Sequence, residues 1–301
     1  EAVFLVYAVP DITVNCKRLD LVDHKSRNNN YPAKIINDHF QNYKSYGIPK
    51  AQLVIADIPY NVGKNAYGSN PAWYIGGDNA KGESENANKE FFDTDKDFRI
   101  TEFLHFCSKL MRKEPKQRGL APAMIVFCAF DQQMEIIEKA KRYGINRYIN
   151  IVFRKNFSAQ VLKANMRIVG NAEYGLVLYR EKLPKFNNNG KMVFNVMDWE
   201  TDEKGILYEK IHPTQKSIKL LERLIKIFTD EGEVVIDPVA GSGSTLIAAN
   251  NLNRKSYGFE IKKDFYGQAK DWIERNKTIK DEIKEHGFSK TLINEEQPSL
   301  F

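Results

Sequence analysis

The sequence predicts a doubly wound α/β fold with a mostly parallel sheet, and three observations carry that prediction. Two continuous apolar runs, residues 53–56 in AQLVIADIPYN and 234–236 in GEVVIDPVAGSGST, each stop at an aspartate and a polar turn. Runs of this kind suit central strands of a parallel sheet that is covered on both faces. Segments with apolar residues at helical spacing lie between such runs. Strand and helix patterns alternate along the chain, as a sheet wound with helices on both sides requires.

The elements follow in order. The apolar start, residues 2–9, reads as a buried strand, because it is too short to span a membrane and lacks the basic flank of a signal peptide. Residues 53–56 form the next strand. Residues 101–112 set Phe103, Leu104, Cys107, Leu110 and Met111 on one face, which predicts a helix. Strands are expected at 123–129, 148–153 and 174–179, with a helix over 132–143. A helix over 217–228 leads to the strand 234–236, a short helix over 244–251 and a strand over 256–261. Two segments break the alternation. Residues 61–97 are rich in Asn, Gly, Ser and charge and read as a long mobile loop, a kind that is usually functional inside a compact domain. Residues 182–210, with Pro184, Asn187–Asn189 and Gly190, read as a small insertion, a hairpin or lobe. The charged tail from Lys277 is expected to fray. All of this is expected to form one domain, residues 1–301.

Composition narrows the function less than the pattern does. A chain of 301 residues can bury a substantial core, and 42% hydrophobic with 28% charged residues is ordinary for a globular protein. No stretch approaches the roughly 20 apolar residues of a membrane span, so no membrane partner is expected. Cys16, Cys107 and Cys128 are scattered, with no CxxC pair and no adjacent His. That argues against structural zinc and against a disulfide framework, and it fits a reducing cytoplasm. The net charge of +6 permits a polyanionic partner without requiring one.

The turn Asp237-Pro-Val-Ala-Gly-Ser-Gly-Ser-Thr245 follows one strand and opens a helix. Glycines there let backbone approach a ligand closely. Leu246 stands where a dinucleotide fingerprint has its third glycine, and no Lys precedes Ser244-Thr245, which disfavours a phosphate loop. A tight turn without ligand is the plain alternative. Glu260 ends the next strand, where an acid can accept hydrogen bonds from both ribose hydroxyls of a nucleoside cofactor. An exposed strand-end Glu is the plain alternative there. The succession of strand, glycine turn, helix, strand and acid makes the nucleoside reading the stronger.

Three motifs together carry a resemblance. Asp57-Ile58-Pro59-Tyr60 resembles the (Asp/Asn/Ser)-Pro-Pro-(Tyr/Phe) motif of S-adenosylmethionine-dependent amino-methyltransferases. The turn from Asp237 resembles that family's Asp-Pro-Phe-Ala-Gly-Ser-Gly-Thr-Thr, and His212-Pro-Thr-Gln-Lys216 resembles the segment leading into its cofactor-flanking helix. The tetrapeptide precedes the glycine turn, the order of the permuted β group of DNA methyltransferases, and the whole chain is similar to adenine methyltransferases of bacteriophages and prophages. The resemblance runs from about Val54 to Trp272. It implies a class I methyltransferase fold, Rossmann-like, with a seven-stranded sheet and a short target-recognition insertion at 182–210. It implies S-adenosylmethionine held by Asp57, His212, Thr214, Lys216, Asp237, Pro238, Ala240, Gly241, Ser242, Gly243, Glu260 and Ile261. Lys216 would meet the cofactor's carboxylate, while His212 is read equally well as structural. DNA is the implied partner and the cytoplasm of a bacterium, or of a phage's host, the implied place. A homodimer and a cognate restriction endonuclease are further partners that the resemblance allows.

The chemistry explains those residue types. An exocyclic amine on a base is a poor nucleophile, because its lone pair is delocalised into the ring. The Asp57 carboxylate and the Ile58 carbonyl, accepting the two amine hydrogens, would aim the lone pair at the methyl group and stabilise the charge developing on nitrogen. Positioning supplies much of the rest. Tyr60 would stack on a base flipped out of the duplex. No metal and no covalent nucleophile are needed. Asp rather than Ser at the first position favours adenine N6 over cytosine N4. Two departures stand out: Ile58 replaces the usual proline, which is expected to loosen the turn, and Ser217 replaces the proline that often follows the Lys.

For DNA contacts, Arg154, Lys155, Lys163 and Arg167 lie in a stretch without acidic residues, and Lys185 lies in KLPKFNNNGK. Such groups suit phosphates and base edges, and equally a solvated basic face. The loop 61–97 carries Tyr67, Trp73 and Tyr74, which could fill the space a flipped base leaves or pack together. Two competing functions remain. A methyltransferase of protein glutamine carries a similar tetrapeptide, but with its cofactor motif first. A catalytically silent DNA-binding module would make Ile58 a sign of decay, against which stand intact Asp57, Tyr60, Gly241, Gly243 and Glu260.

Overall fold

In the computed structural model, residues 4–5, 17–18, 31–60, 98–155, 160–163, 168–202, 211 and 215–286 are described. The chain divides into two units, Glu1–Asn30 and Tyr31–Phe301. Within the first, Phe4–Leu5 (β1) and Lys17–Arg18 (β2) pair antiparallel. The rest of the strand expected over 2–9 lies outside the described residues.

The second unit opens with Ala33–Ile36 (β3), a 3-10 turn over Phe40–Tyr46 and Leu53–Asp57 (β4). Ile100–Leu110 (α1), Ala123–Cys128 (β5), Gln132–Lys141 (α2) and Arg147–Arg154 (β6) follow. Gln160–Lys163 (β7) and Ile168–Gly170 (β8) form a small antiparallel ribbon, and Ala172–Tyr179 (β9) returns to the sheet. Val196–Asp198 (β10), Ile218–Phe228 (α3), Val234–Asp237 (β11), Ser244–Asn251 (α4), Lys255–Phe259 (β12) and Lys263–His286 (α5) complete it.

Eight of these strands make one sheet in the order β10-β6-β9-β5-β4-β11-β12-β3. Only β9 runs against its neighbours, so the sheet is mostly parallel as expected. The count is eight rather than seven. The extra strand is β10, which extends the sheet in parallel beside β6. Within residues 182–202, Pro184 bridges to Ala121, and Val196–Asp198 joins the edge of the sheet beside β6. Helix α5 continues past Lys277, where fraying was expected, and Lys277 itself donates to the Ala33 carbonyl at 2.9 Å.

Alternation along β4 explains how the sheet is covered. Leu53 and Ile55 face a core shared with α3, α4 and α5, while Val54 and Ala56 face a second core shared with α1 and α2. Both faces are dry, which is why the strand reads as a continuous apolar run. From the central pair, β4 leads through α1 to β5 on one side and β11 leads through α4 to β12 on the other. Strand order reverses between them, and in open α/β sheets ligands bind in the crevice outside the carboxyl ends at such a point.

Candidate active site

Asp57 ends β4 and Asp237 ends β11, so the adjacent central strands deliver two carboxyl groups to that crevice. Beyond Asp57 the turn is firmly held. The Ile58 N–H donates to the Phe127 carbonyl at 3.2 Å, a bond that a proline could not make. The Ile58 side chain is buried in the core with α1 and α2. Gln132, at the start of α2, donates to the Pro59 carbonyl at 2.8 Å, and its own oxygen accepts the Ala129 N–H at 3.0 Å. The expectation that Ile58 loosens this turn is thus corrected: it adds a hydrogen bond and a core contact.

Lys216 lies at the centre of the polar cluster. Its Nζ is 2.8 Å from Asp57 Oδ2 and 3.0 Å from Glu173 Oε2, and it donates to Tyr60 Oη at 3.3 Å. Glu173, near the start of β9, also pairs with Lys155, whose ammonium sits 4.5 Å from the centre of the Trp199 ring. Two carboxylates and two ammonium groups therefore alternate along one row, Asp57, Lys216, Glu173, Lys155. Burial pulls the Lys216 ammonium down, but Asp57 and Glu173 outweigh it and hold its pKa well above the usual range. Burial pushes the Glu173 carboxyl up, yet Lys216 and Lys155 overcome this and keep it below its ordinary value. For Asp57 burial prevails over Lys216, and its pKa is raised. Asp57 Oδ1 is shut off from solvent and has no hydrogen-bond partner. An unsatisfied buried acceptor costs about 1–3 kcal/mol, so it is an acceptor held ready for a donor.

The glycine turn forms the other wall. Gly241 has φ +49°, and a Cβ there would meet nothing within 4 Å, so the turn faces open space. The Gly241 N–H donates to Glu260 Oε2 at 3.0 Å and the Lys262 N–H to Oε1 at 2.8 Å. Each carboxylate oxygen retains lone-pair capacity for a further donor. Burial raises the Glu260 pKa. Asp237 Oδ1 accepts the Val239 N–H at 3.0 Å, and burial, with Asp57 and Glu260 nearby, raises its carboxyl to about 7. Ser242 and Ser244 share a hydroxyl hydrogen bond of 2.7 Å, the Ala240 N–H donates to the Phe259 carbonyl at 2.8 Å, and Ile261 is exposed at the rim. Pro238 and Gly243 lie within the same turn, and Gly243 caps α4.

Sequence reading missed two contributors. Glu173 is the second residue of a strand that otherwise reads as apolar, and an acid at such a place is its only signal. Asn37, just after β3, donates to the Glu260 carbonyl at 2.8 Å and steadies that strand end. Other expected residues fall elsewhere. His212, Thr214, Arg167, the loop 61–97 with Tyr67, Trp73 and Tyr74, and the side chain of Lys163 lie outside the described residues. Arg154 is exposed at the carboxyl end of β6, paired with Asp198. Lys155, expected on a DNA-facing surface, is buried in the charge row instead. Lys185 is corrected more sharply. It is buried at the amino ends of the central strands, its N–H bonded to Ala121 and its ammonium 2.5 Å from Asp230 and 3.0 Å from Glu233. That is the opposite edge of the sheet from Asp57. Among the described residues, no cluster of His, Cys, Asp and Glu could hold a metal ion, and no helix is long and apolar enough to cross a membrane.

Comparison with known proteins adds three findings. A family model described as DNA methylase, covering N6 and N4 enzymes, matches residues 51–271. Type II methyltransferase M2.LlaDCHI of Lactococcus lactis subsp. cremoris is 34% identical over 33% of this chain and 37% of its own length. DNA adenine methyltransferase YhdJ of Escherichia coli is 25% identical over 76% of this chain and 78% of its own. The stretches shared with the first curated relatives thus span about a third of their length. Among solved structures, the M1.HpyAVI–SAM complex superposes with a TM-score of 0.56 at 21% identity, over 80% of this chain and 98% of that one. The shared architecture is that of the class I methyltransferase fold.

Proposed function

Because the chain belongs to the DNA methylase family, we propose that it transfers a methyl group from S-adenosylmethionine to the N6 amine of adenine in DNA. The observation that carries this reading is Asp57 Oδ1, a buried acceptor without a partner at the carboxyl end of a central strand.

The residues present fit the cofactor. The open left-handed turn at Gly241 leaves room for a ligand against backbone, and Glu260 and Asp237 offer acceptors on either side of it. Asp237, Ala240, Gly241, Ser242, Gly243, Glu260 and Ile261 would hold it, with His212 and Thr214 as further proposed contacts. When bound, S-adenosylmethionine supplies a methyl group on a positively charged sulfur. Everything else falls to the chain. Asp57 Oδ1 and the Ile58 carbonyl accept the two hydrogens of the amine and aim its lone pair. Because they are fixed before the base arrives, they stabilise the charge that grows on nitrogen without reorganising. Asp57 then takes the proton that the amine sheds, and a carboxylate whose pKa is raised by burial suits that role. Tyr60 stacks on the flipped base.

Several finer points belong to the same reading. Asp at position 57 and the adenine specificity named for YhdJ favour N6 over cytosine N4. The tetrapeptide precedes the glycine turn, the order of the permuted β group, and a phage or prophage source and a cytoplasmic place go with it. Arg154, Lys163 and Arg167 would meet DNA phosphates, since the ribbon of β7 and β8 joins β6 to β9 at the carboxyl edge of β6. A cognate restriction endonuclease is the partner suggested by relatives named as type II methyltransferases.

The test is incubation with methyl-labelled S-adenosylmethionine and unmethylated bacterial DNA, with Asp57→Ala beside it, followed by digestion to nucleosides. Label in N6-methyladenosine, lost in the variant, is the expected result. Label in N4-methylcytosine keeps the mechanism and overturns the base. Cofactor binding with no label in DNA would overturn DNA as substrate.

A further inference from the structure

A site built for this chemistry faces an electrostatic problem. The methyl donor carries a positive sulfur, and the amine becomes positive as it reacts. A bare lysine ammonium beside Asp57 would oppose both. Yet Lys216 Nζ lies only 2.8 Å from Asp57 Oδ2. Glu173 resolves the conflict, since its Oε2 lies 3.0 Å from the same ammonium and its other oxygen pairs with Lys155. Lys216, Lys155 and Glu173 are all buried or nearly so, with side-chain exposures of 9%, 9% and 15%. Water therefore screens these three groups poorly, and a charge removed from among them is felt at Asp57, whose side chain is 29% exposed.

We infer that Glu173 is a positioning residue which shares Lys216 with Asp57 and keeps the row Asp57, Lys216, Glu173, Lys155 electrically neutral toward a cationic ligand. The proposal rests on the methyl-transfer reading above. The row's formal charge is zero: two carboxylates against two ammonium groups. Among the described residues, the other ionisable groups that interact with it are Tyr60, which hydrogen-bonds to Lys216, and Asp237 and Cys128, both of which Asp57 influences. None faces Glu173 closely enough to replace it in an ion pair among the described residues. Asp57 ends β4, Glu173 stands on β9 and Lys155 follows β6, so the sheet fixes these three members of the row. Lys216 lies on the segment before α3 and is the member whose position depends on its partners. With Glu173 gone, Lys216 would turn wholly onto Asp57, and the row would gain one positive charge.

The experiment compares affinities for S-adenosylmethionine and its product S-adenosylhomocysteine, which differ by the methyl group and the positive charge on sulfur. Calorimetric titration would be run on the wild-type protein, Glu173→Gln, Lys155→Met and the double variant, with thermal melts to verify folding. Glu173→Gln should lower the preference for the cation by about tenfold relative to the neutral product, the scale of one poorly screened charge nearby. Lys155→Met should move the same ratio the other way, and the double variant should return it toward wild type. Loss of packing alone would weaken both ligands together, leaving the ratio fixed. An unchanged ratio in both single variants, with cofactor still bound, overturns the proposal and leaves the methyl-transfer reading standing. If Glu173→Gln fails to fold, the sign of the shift in Lys155→Met decides by itself. If the wild-type protein binds neither ligand, the methyl-transfer reading falls and this inference with it.

Discussion

Asp202 Oδ1 accepts the Ser217 hydroxyl at 2.9 Å, tying the segment after β10 to the residue that caps α3. The same carboxylate accepts the N–H groups of Ile218 at 2.8 Å and Lys219 at 3.0 Å, while Ser217 Oγ accepts the Leu220 N–H. Four polar bonds thus converge on the helix end that follows Lys216. A proline at 217 could make neither hydroxyl bond, so the departure from the family motif is a different way of starting the same helix.

Removing that carboxylate should loosen the helix start. Asp202→Ala strips the acceptor from two helical N–H groups, and loss of an N-terminal cap costs about 1–2 kcal/mol. Urea denaturation should register that loss, and Asp202→Asn, which keeps one oxygen, should recover part of it. Equal stability of all three proteins would show that α3 is held by its apolar face alone.

The contact between β12 and the glycine turn offers a second test. A Cβ on Gly258 would lie 2.7 Å from Leu246 Cδ1 and 2.8 Å from the Ala240 Cβ, both packed in the interior. Gly258→Ala should therefore cost about 1–3 kcal/mol through overpacking and displace the turn at Ala240–Gly241. Gly267, inside α5, is different, since a Cβ added there would meet nothing within 4 Å. Gly267→Ala should stabilise the protein by about 0.5–1 kcal/mol, because it reduces backbone freedom in the unfolded chain. The two denaturation midpoints should move in opposite directions.

What could be read in advance followed from continuity along the chain. The strands β4, β5, β9 and β11 are buried on both faces, and that burial writes unbroken apolar runs. The glycine turn and the tetrapeptide were legible because each is a short sequence whose neighbours supply its context. The row joining Asp57 to Lys155 was not legible, since its members come from four distant segments that only the sheet order brings together. Lys155 and Lys185 misled for a related reason. A lysine in a basic stretch looks solvated until the fold sets a carboxylate beside it, as Glu173 and Glu233 show. Strand β10 was hidden because only Met197 of its three residues is buried.

Lys185 gives a direct check on that correction. Lys185→Met removes the partner of Asp230 and of the half-buried Glu233, which Arg112 also contacts at 3.2 Å. Because Asp230 is largely exposed, the expected cost is about 1–2 kcal/mol. Affinity for DNA and its salt dependence should be unchanged. Arg154→Ala, at the carboxyl edge, should instead reduce the salt slope by about one counterion on the proposed DNA-binding surface. A weakened salt slope in the Lys185 variant would restore it to the DNA interface.

Asp237 supplies the pH dependence. Its carboxyl ionises at an ordinary 3.8 when the chain is unfolded and at about 7 in the fold, with burial as the leading cause. Between those values the folded protein keeps a proton that the unfolded chain has already released. Stability from this group is therefore fully present below about pH 4, falls as pH rises, and is lost once pH passes about 7. At about 1.4 kcal/mol for each unit, the change across the window is on the order of 4–5 kcal/mol. Asp237→Asn retains an oxygen for the Val239 N–H and cannot ionise, and its amide can donate to the Thr245 hydroxyl that now donates to Asp237. Denaturation without cofactor at pH 5 and pH 8 should show the variant gaining on the wild-type protein as pH rises. A difference that stays flat would mean that Asp237 is already ionised in the fold at pH 5, and that the Val239 and Thr245 hydrogen bonds outweigh its burial.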